Sequence, residues 1–422
     1  MEKILNKADQ RKKYSYTPGG SVFLLAGLTV AHGIFHFMAQ SFSVMLPAIK
    51  ETFGISAVQI GAIITARELA AGMASFPGGV VSDYLRRYRG LLMASCMVMF
   101  ALGWWVIGIS PVYPLLLAGM VMVASAGSIW HLPSLAELSL QFSRRRGAAL
   151  AVHGVGGSLG DIFGPMITGL LLGVLSWRGI ISMYAALPLI MACWVTWAFR
   201  GLGNQKSRTV NTRQLEEADI RLQFKITKHI LKQTHIWRVN VVAGLRGMCF
   251  DIFVTFLPLF MKEKLGFSSQ SIGFHFGLLW TVGIIASPVM GHLSDRFGRK
   301  PILIPALAYS TVLTLMLALF GKGFLFTLII VFLGISIRSD YSILSATILD
   351  IAGDKVATTM LGILSFSRFI MAAISPLIAG ALYQYLGMQA ALFFVAALFA
   401  SSGIIFALTD LNKTAMTAIS KS

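Results

Sequence analysis

Charged side chains are scarce in this sequence. They make up 12% of its 422 residues, whereas 56% of the residues are hydrophobic and the mean hydropathy is +0.75. Soluble domains carry about 25% charged residues. The balance therefore excludes an ordinary soluble domain and predicts a membrane protein.

Cysteine is also rare, and signatures of catalysis are missing. Cys96, Cys193 and Cys249 lie in separate apolar runs, which predicts small core residues and neither a disulfide framework nor a metal site. We find no HExxH motif and no pairing of a nucleophile with a base. We therefore expect no enzymatic activity and no cofactor. A nucleotide-binding domain or a signalling domain is not expected either, which argues against a primary pump and a sensor.

Long apolar runs are what the sequence has in abundance. A run of about 20 residues can cross a hydrocarbon core of about 30 Å. We number twelve such runs as spans 1 to 12, and the sequence predicts an all-α membrane protein. The spans are 21–46, 58–82, 91–109, 113–140, 147–172, 178–199, 239–261, 270–293, 301–320, 323–350, 356–381 and 388–409.

The positive charge lies mostly on one side of the predicted spans. With the N-terminus inside, the inner segments hold 26 of the 35 Lys and Arg residues, the outer loops hold five, and four lie within spans. Because cytoplasmic loops collect Lys and Arg, both termini are predicted to be cytoplasmic. The net charge of +18 thus needs no nucleic-acid partner. We expect a multi-pass protein of the lipid bilayer, in a bacterial inner membrane.

The sequence contains an internal repeat. GVVSD (79–83) recurs as GHLSD (291–295), which is half the chain away. The repeat predicts two pseudo-symmetric six-helix halves, 1–199 and 239–422, joined by a cytoplasmic central loop, 200–238. Halves of this kind are a recurring transporter architecture with the substrate site near the midplane.

The loop between spans 8 and 9, GHLSDRFGRKP (291–301), resembles the signature G-x-x-x-D-R-x-G-R-[RK] of the major facilitator superfamily. The matching residues are Gly291, Asp295, Arg296, Gly298, Arg299 and Lys300. The first-half copy keeps Gly79, Asp83 and Arg87 but has Tyr84 and Arg86 where Arg and Gly are expected. The resemblance implies a twelve-helix, monomeric secondary transporter that works by alternating access.

The loop residues are predicted to form a gate. Gly291 would let a neighbouring helix pack closely. Asp295 lies at a helix end, where it can pair with an arginine or cap a helix. Glu137 and Asp350 lie near the same membrane face and are predicted partners of the loop arginines. The alternative is that these arginines only mark the cytoplasmic side.

Span 5 carries a second motif, GDIFGPMITG (160–169). It resembles the glycine-rich fifth span of antiporters in the same superfamily, G-x-x-x-G-P-x-x-G-G, with Thr168 in place of one glycine. The matching residues are Gly160, Gly164, Pro165 and Gly169. Residues 144–160 also resemble fosmidomycin-resistance-type exporters locally. This resemblance implies efflux by antiport, and ordinary small-residue packing is the alternative.

Ionisable groups inside spans are functional candidates by default. Arginines in a binding cavity suit an anion, because guanidinium can bind carboxylate or phosphonate through two parallel bonds. Neighbouring acids could instead neutralise the arginines, and we expect such pairing for Arg246. The aromatic candidates could equally serve packing. The predicted substrate-binding residues are Arg338, Arg368, Arg67, His32, His36, Gln40, Tyr341 and Trp130.

Coupling to protons needs a group that titrates near neutral pH. Carboxyl groups removed from water can do so, and histidine does so unperturbed. The predicted proton-coupling residues are Asp251, Asp161, Glu68 and Asp340. The sequence thus predicts a secondary transporter whose partners are a small-molecule substrate and protons. We expect export of a small organic anion by antiport, and the alternative is uptake of such an anion by symport.

Overall fold

The computed structural model describes residues 20–85, 88–142, 145–199, 226–352 and 356–411. Each predicted span is helical, and these ranges contain no strand. The all-α prediction is confirmed. The helices of spans 1 to 6 are Gly20–Phe53, Ala57–Tyr84, Arg89–Ile109, Tyr113–Gln141, Arg146–Leu171, and Trp177–Tyr184 with Ala186–Ala198. Those of spans 7 to 12 are Thr234–Glu263, Ser269–Phe297, Arg299–Phe320, Gly323–Ile337 with Ser339–Ala352, Ala357–Leu386 and Met388–Ala407.

Ten spans of the described part are long and apolar enough, as helices, to cross a membrane. A helix suits that environment because it satisfies its own backbone hydrogen bonds where no water is present. Spans 6 and 10 are each divided into two shorter helices, and the division of span 10 falls at Arg338. The break in span 10 coincides with three polar residues, Arg338, Ser339 and Asp340.

The helices cluster into two compact units. The first unit comprises Met1–Gly54, Leu69–Lys206 and Ser268–Gly277. The second unit comprises Ile55–Glu68, Ser207–Phe267 and Leu278–Ser422. The predicted boundaries at 199 and 239 stay a prediction.

The same helix pairs recur inside each unit. In the first unit span 1 packs on span 5, and span 3 packs on spans 4 and 6. In the second unit span 7 packs on span 11, and span 9 packs on spans 10 and 12. Each pair in one unit corresponds to a pair six spans later in the other. The repeated sequence therefore builds a repeated packing plan, in which the site residues occupy comparable helices.

Candidate substrate and proton sites

Arg368 in span 11 is surrounded by aromatic rings. Its guanidinium carbon lies 5.5 Å from the ring centroid of Phe250, 5.3 Å from that of Tyr341 and 5.6 Å from that of Phe369. The Tyr341 hydroxyl is held by Ser365 Oγ at 2.9 Å. The face of an aromatic ring attracts a cation within about 6 Å. It does not accept hydrogen bonds from the N–H groups in the guanidinium plane, which an oxyanion does accept. Arg368 is half-buried, and the ion pairs seen among the described residues do not include it.

Arg338 lies at the interruption of span 10, between Ile337 and Ser339. It is half-buried, and its guanidinium carbon lies 6.0 Å from the ring centroid of Trp280. The structure therefore places both principal anion-binding candidates in the second unit, each beside an aromatic ring.

Arg67 in span 2 lies between two acids of the second unit. Its Nε donates to Glu68 Oε1 at 2.8 Å, and its Nη2 lies 3.8 Å from Asp251 Oδ1. Both carboxyl groups are buried, and Asp251 Oδ2 has no hydrogen-bond partner in the described part of the chain. With both acids ionised this group of three would hold a net charge of −1, which is unfavourable away from water. Binding one proton would neutralise it.

Arg246 and Asp340 form a buried ion pair. Arg246 Nη2 lies 2.7 Å from Asp340 Oδ2, and the two side chains are 5% and 1% exposed. The guanidinium carbon also lies 4.1 Å from the ring centroid of Phe399. The expected pairing of Arg246 is confirmed. The carboxylate of Asp340 compensates the buried positive charge of Arg246. Its predicted role in proton coupling stays a prediction.

The second-half loop joins three elements through Arg299. Its Nε donates to Asp350 Oδ2 at 2.8 Å, and its Nη1 donates to Ser294 Oγ at 2.7 Å and to Asp295 Oδ1. Gly298 has φ +96°, a conformation that side-chain-bearing residues rarely adopt. The predicted pairings of Asp295 and Asp350 with a loop arginine are confirmed, and the gating role stays a prediction.

The packing role expected of Gly291 stays a prediction. A Cβ atom built at Gly291 meets no atom of the described residues within 4 Å. Arg296 lies against the ring of Phe297, with its guanidinium carbon 5.2 Å from the centroid. The polar motif is therefore held by its charges and by the turn at residue 298.

The first-half loop is described only in part. Arg87 and the side chain of Asp83 lie outside the described residues, and a Cβ at Gly79 would lie 4.0 Å from the nearest atom. Glu137 Oε1 accepts from Arg89 Nη1 at 2.8 Å, and both side chains are buried. The predicted pairing of Glu137 with an arginine of this loop is thus confirmed.

Polar side chains of spans 1, 4 and 5 meet in the first unit. His36 Nδ1 donates to Asp161 Oδ1 at 2.8 Å. The ring centroid of His131, which is not among the predicted site residues, lies 5.1 Å from that of His32. About a hundred residues separate His32 from His131 in the sequence. The packing of span 4 against span 1 brings them together, and the sequence pattern does not predict that packing.

The other two first-unit candidates are buried. Gln40 is buried, and its Oε1 has no hydrogen-bond partner in the described part of the chain. Trp130 is fully buried and stacks against His32 with a centroid distance of 6.4 Å. Packing explains the position of Trp130 without a substrate, and its predicted contact with substrate stays a prediction.

Close packing accounts for the three glycines of the span 5 motif. A Cβ at Gly160 would overlap the carbonyl oxygen of Gly33, and one at Gly164 would overlap that of Phe37. Gly169 would bring its Cβ to 2.6 Å from a carbonyl oxygen of span 8. Pro165 lies within the same helix, where the Gly164 carbonyl accepts from Ser41 Oγ at 3.1 Å. The antiporter interpretation of this motif stays a prediction.

Comparison with known proteins decides the family. The sequence matches the Major Facilitator Superfamily over residues 28–375 and again over 245–417. The chain belongs to the major facilitator superfamily. The resemblance first seen in the loop after span 8 is thereby confirmed.

Individual relatives of this superfamily member are distant. It is 22% identical to the uncharacterized MFS-type transporter YfnC of Bacillus subtilis, covering 90% of this chain and 91% of the relative. It is 21% identical to the glycerol-3-phosphate transporter of Bacillus subtilis, covering 82% of each chain. Its fold resembles a bacterial homolog of the lysosomal transporter Spinster in an inward-facing, occupied conformation. That match has a TM-score of 0.79 and 13% identity and covers 93% of this chain and 98% of the other.

Membership in the superfamily defines the general activity. The protein is a multi-pass membrane protein and a secondary transporter of the major facilitator superfamily. Its arginines, acids and histidines thus lie in helices of a transport fold, where intramembrane ionisable groups commonly bind substrate or move protons.

Proposed function

We propose that this transporter moves a small organic anion by alternating access and couples the movement to protons. The observation that carries the proposal is the setting of Arg368. Three aromatic rings surround its guanidinium, and the ion pairs of the described residues leave it out. A carboxylate or phosphate can therefore bind the guanidinium fork, which the rings do not occupy.

Arg338 provides a second cation for the same ligand class. It lies in span 10, where its guanidinium carbon is 6.0 Å from the ring centroid of Trp280. The glycerol-3-phosphate transporter, whose name specifies an anion, is among the distant relatives and supports this substrate class. Distant identity does not select glycerol 3-phosphate itself for this chain.

Asp251 and Glu68 are the proposed proton carriers of the second unit. They share Arg67, so the group of three gains a neutral state when one carboxyl group is protonated. The positively charged guanidinium of Arg368 lies beside the ring of Phe250, the residue that precedes Asp251 in span 7. An anion bound at Arg368 would cancel that positive charge and make a proton on Asp251 more favourable.

This proximity of the proposed anion site to a proposed proton carrier favours symport. When proton and anion each promote binding of the other, they move in the same direction, as in proton-coupled uptake. Export by antiport is the second candidate, and the glycine motif of span 5 favours it through its resemblance to antiporters. The two candidates share the substrate class and differ in the sign of the coupling.

A reconstituted system tests both. The protein in sealed proteoliposomes is given a panel of anions, including glycerol 3-phosphate and sugar acids, with glycerol as the neutral control and a pH gradient of either polarity. Symport predicts that an anion accumulates on the alkaline side, and antiport predicts accumulation on the acidic side. Anion flux that ignores both gradients would refute the coupling, and transport restricted to cations would refute the substrate class.

Variants of Arg368 locate the anion site when their affinity for the transported anion is measured. Arg368→Ala should weaken anion binding by about 2–5 kcal/mol, the effect of breaking a buried charged hydrogen bond. Arg368→Lys should recover little, because lysine keeps the charge but not the fork. Arg178→Ala is the matched control, since Arg178 also stacks on an aromatic ring, at 4.2 Å from Trp177. Equal anion affinity in Arg368→Ala and the parent would show that Arg368 is structural.

A further inference from the structure

Three histidines of the first unit converge on one point. One ring nitrogen each of His32, His36 and His131 lies within 4.8 Å of the corresponding nitrogens of the other two. We propose that these three side chains bind a divalent first-row transition metal ion of the Zn²⁺ class. The proposal rests on this cluster alone and is independent of the substrate and proton sites of the second unit.

The spacing on span 1 suits chelation. His32 and His36 are four residues apart within one helix, so their side chains lie on one face. Their ring centroids are 4.6 Å apart. Two histidines at this spacing are the recurrent helical half of zinc sites. His131 of span 4 supplies the third imidazole.

Hydrogen bonds fix the tautomer of all three rings. His32 Nδ1 lies 2.9 Å from the carbonyl oxygen of His153, and His131 Nδ1 lies 2.6 Å from that of Gly127. A carbonyl oxygen only accepts, so both Nδ1 atoms carry the proton. The neutral rings therefore present a lone pair at Nε2, which is what a metal requires.

Asp161 orients the third ligand. His36 Nδ1 lies 2.8 Å from Asp161 Oδ1, and the carboxylate is 1% exposed. Metal-binding histidines commonly donate their second nitrogen to a carboxylate or a backbone carbonyl, which fixes the ring and raises its basicity. All three histidines of the cluster have such an acceptor.

The scaffold leaves room for the rings and a path to them. A Cβ atom at Gly157 would lie 2.8 Å from His32 Cε1 and 3.1 Å from His36 Cδ2, so glycine there makes space for both imidazoles. His153 stacks on His32 with a centroid distance of 4.2 Å. His36 is 33% exposed, which gives an ion access to the cluster.

The chemistry selects the class of metal. Imidazole suits Zn²⁺, Cu²⁺ and Ni²⁺, whereas Ca²⁺ and Mg²⁺ prefer oxygen ligands. In a tetrahedral zinc site, with Zn–N of about 2.0 Å, the nitrogens lie about 3.3 Å apart. The three rings must therefore move until their Nε2 atoms reach that spacing, and the fourth position stays open to water or an anion.

Metal titration of the purified, full-length protein tests the proposal. The protein is prepared in detergent without a polyhistidine tag and titrated with Zn²⁺ against a chelating dye, and with Co²⁺ by visible absorption. We expect one ion per chain and a tetrahedral Co²⁺ spectrum. Ca²⁺ should not compete. A parent protein that binds neither ion in a one-to-one ratio would overturn the proposal without any variant.

Variants identify the ligands. His36→Gln and His131→Gln should each lower the Zn²⁺ affinity at least about tenfold, and Asp161→Asn should lower it about 10- to 100-fold. His292→Gln is the matched control, because His292 is exposed in span 8 and outside the cluster. Zn²⁺ should raise the melting temperature of the parent and of His292→Gln but not of His131→Gln. Parent-like affinity in folded His36→Gln and His131→Gln would assign the ion to another site.

Discussion

The Arg246–Asp340 pair makes a quantitative prediction, because it is almost fully buried. With 2.7 Å between Arg246 Nη2 and Asp340 Oδ2 and exposures of 5% and 1%, each charge depends on the other. Removing one partner of such a pair costs about 3–5 kcal/mol, since the remaining charge stays buried and uncompensated. Asp340→Leu and Arg246→Met should each destabilise the protein by about that amount.

The double variant Arg246→Met/Asp340→Leu should recover most of the loss. Replacing a buried ion pair by apolar residues of similar volume is often neutral or stabilising. The assay is thermal unfolding in detergent, followed by tryptophan fluorescence. At about 2–4 °C per kcal/mol for a unit of 150–250 residues, each single variant should melt about 6–20 °C below the parent.

Two results would refute this reasoning. Single variants that melt with the parent would show that neither charge needs its partner, and a double variant as unstable as the sum of the singles would show no coupling between them. Asp340→Asn adds a functional readout. Parent-like stability with loss of gradient-driven accumulation in that variant would favour proton coupling by Asp340.

Two further predictions concern the glycine motif and the loop. Gly160→Ala should lower the free energy of unfolding by about 1–3 kcal/mol, because its Cβ would overlap the Gly33 carbonyl, whereas Gly154→Ala, with no atom within 4 Å of its Cβ, is the unaffected control. Equal melting temperatures would contradict the packing account. Asp295→Asn should slow substrate turnover in proteoliposomes while changing stability by less than about 1 kcal/mol, because Asp295 is 66% exposed in its pair with Arg299. Unchanged turnover at equal protein insertion would reduce the loop to a topology marker.

Composition and run length predicted the helices well, because the bilayer imposes both. A span must be long and apolar, and its backbone must be helical, so hydropathy carries most of the fold. Hydropathy did not predict the divisions of spans 6 and 10, because it measures the average polarity of a run and not its backbone hydrogen bonds. Such a break depends on packing between helices.

Side-chain partners were predictable only where position along the membrane decides them. Asp350 lies at the end of a span near the loop of Arg299, and the pairing follows from that shared depth. The contact of Arg67 with Asp251 depends on the rotation of two helices, which one sequence does not specify. For the same reason the sequence did not predict that His131 lies beside His32 of span 1.

Four arginines look alike in the sequence because each is a cation within an apolar run. A charge inside the membrane is unfavourable unless another group compensates it. For Arg246 that compensation is permanent, since Asp340 is in ion-pair contact. For Arg368 aromatic rings supply only part of it, so the guanidinium still gains from an oxyanion. Of these two arginines, Arg368 has the weaker internal compensation and gains more from a ligand, so it is the better candidate for substrate binding and Arg246 is the better candidate for stability.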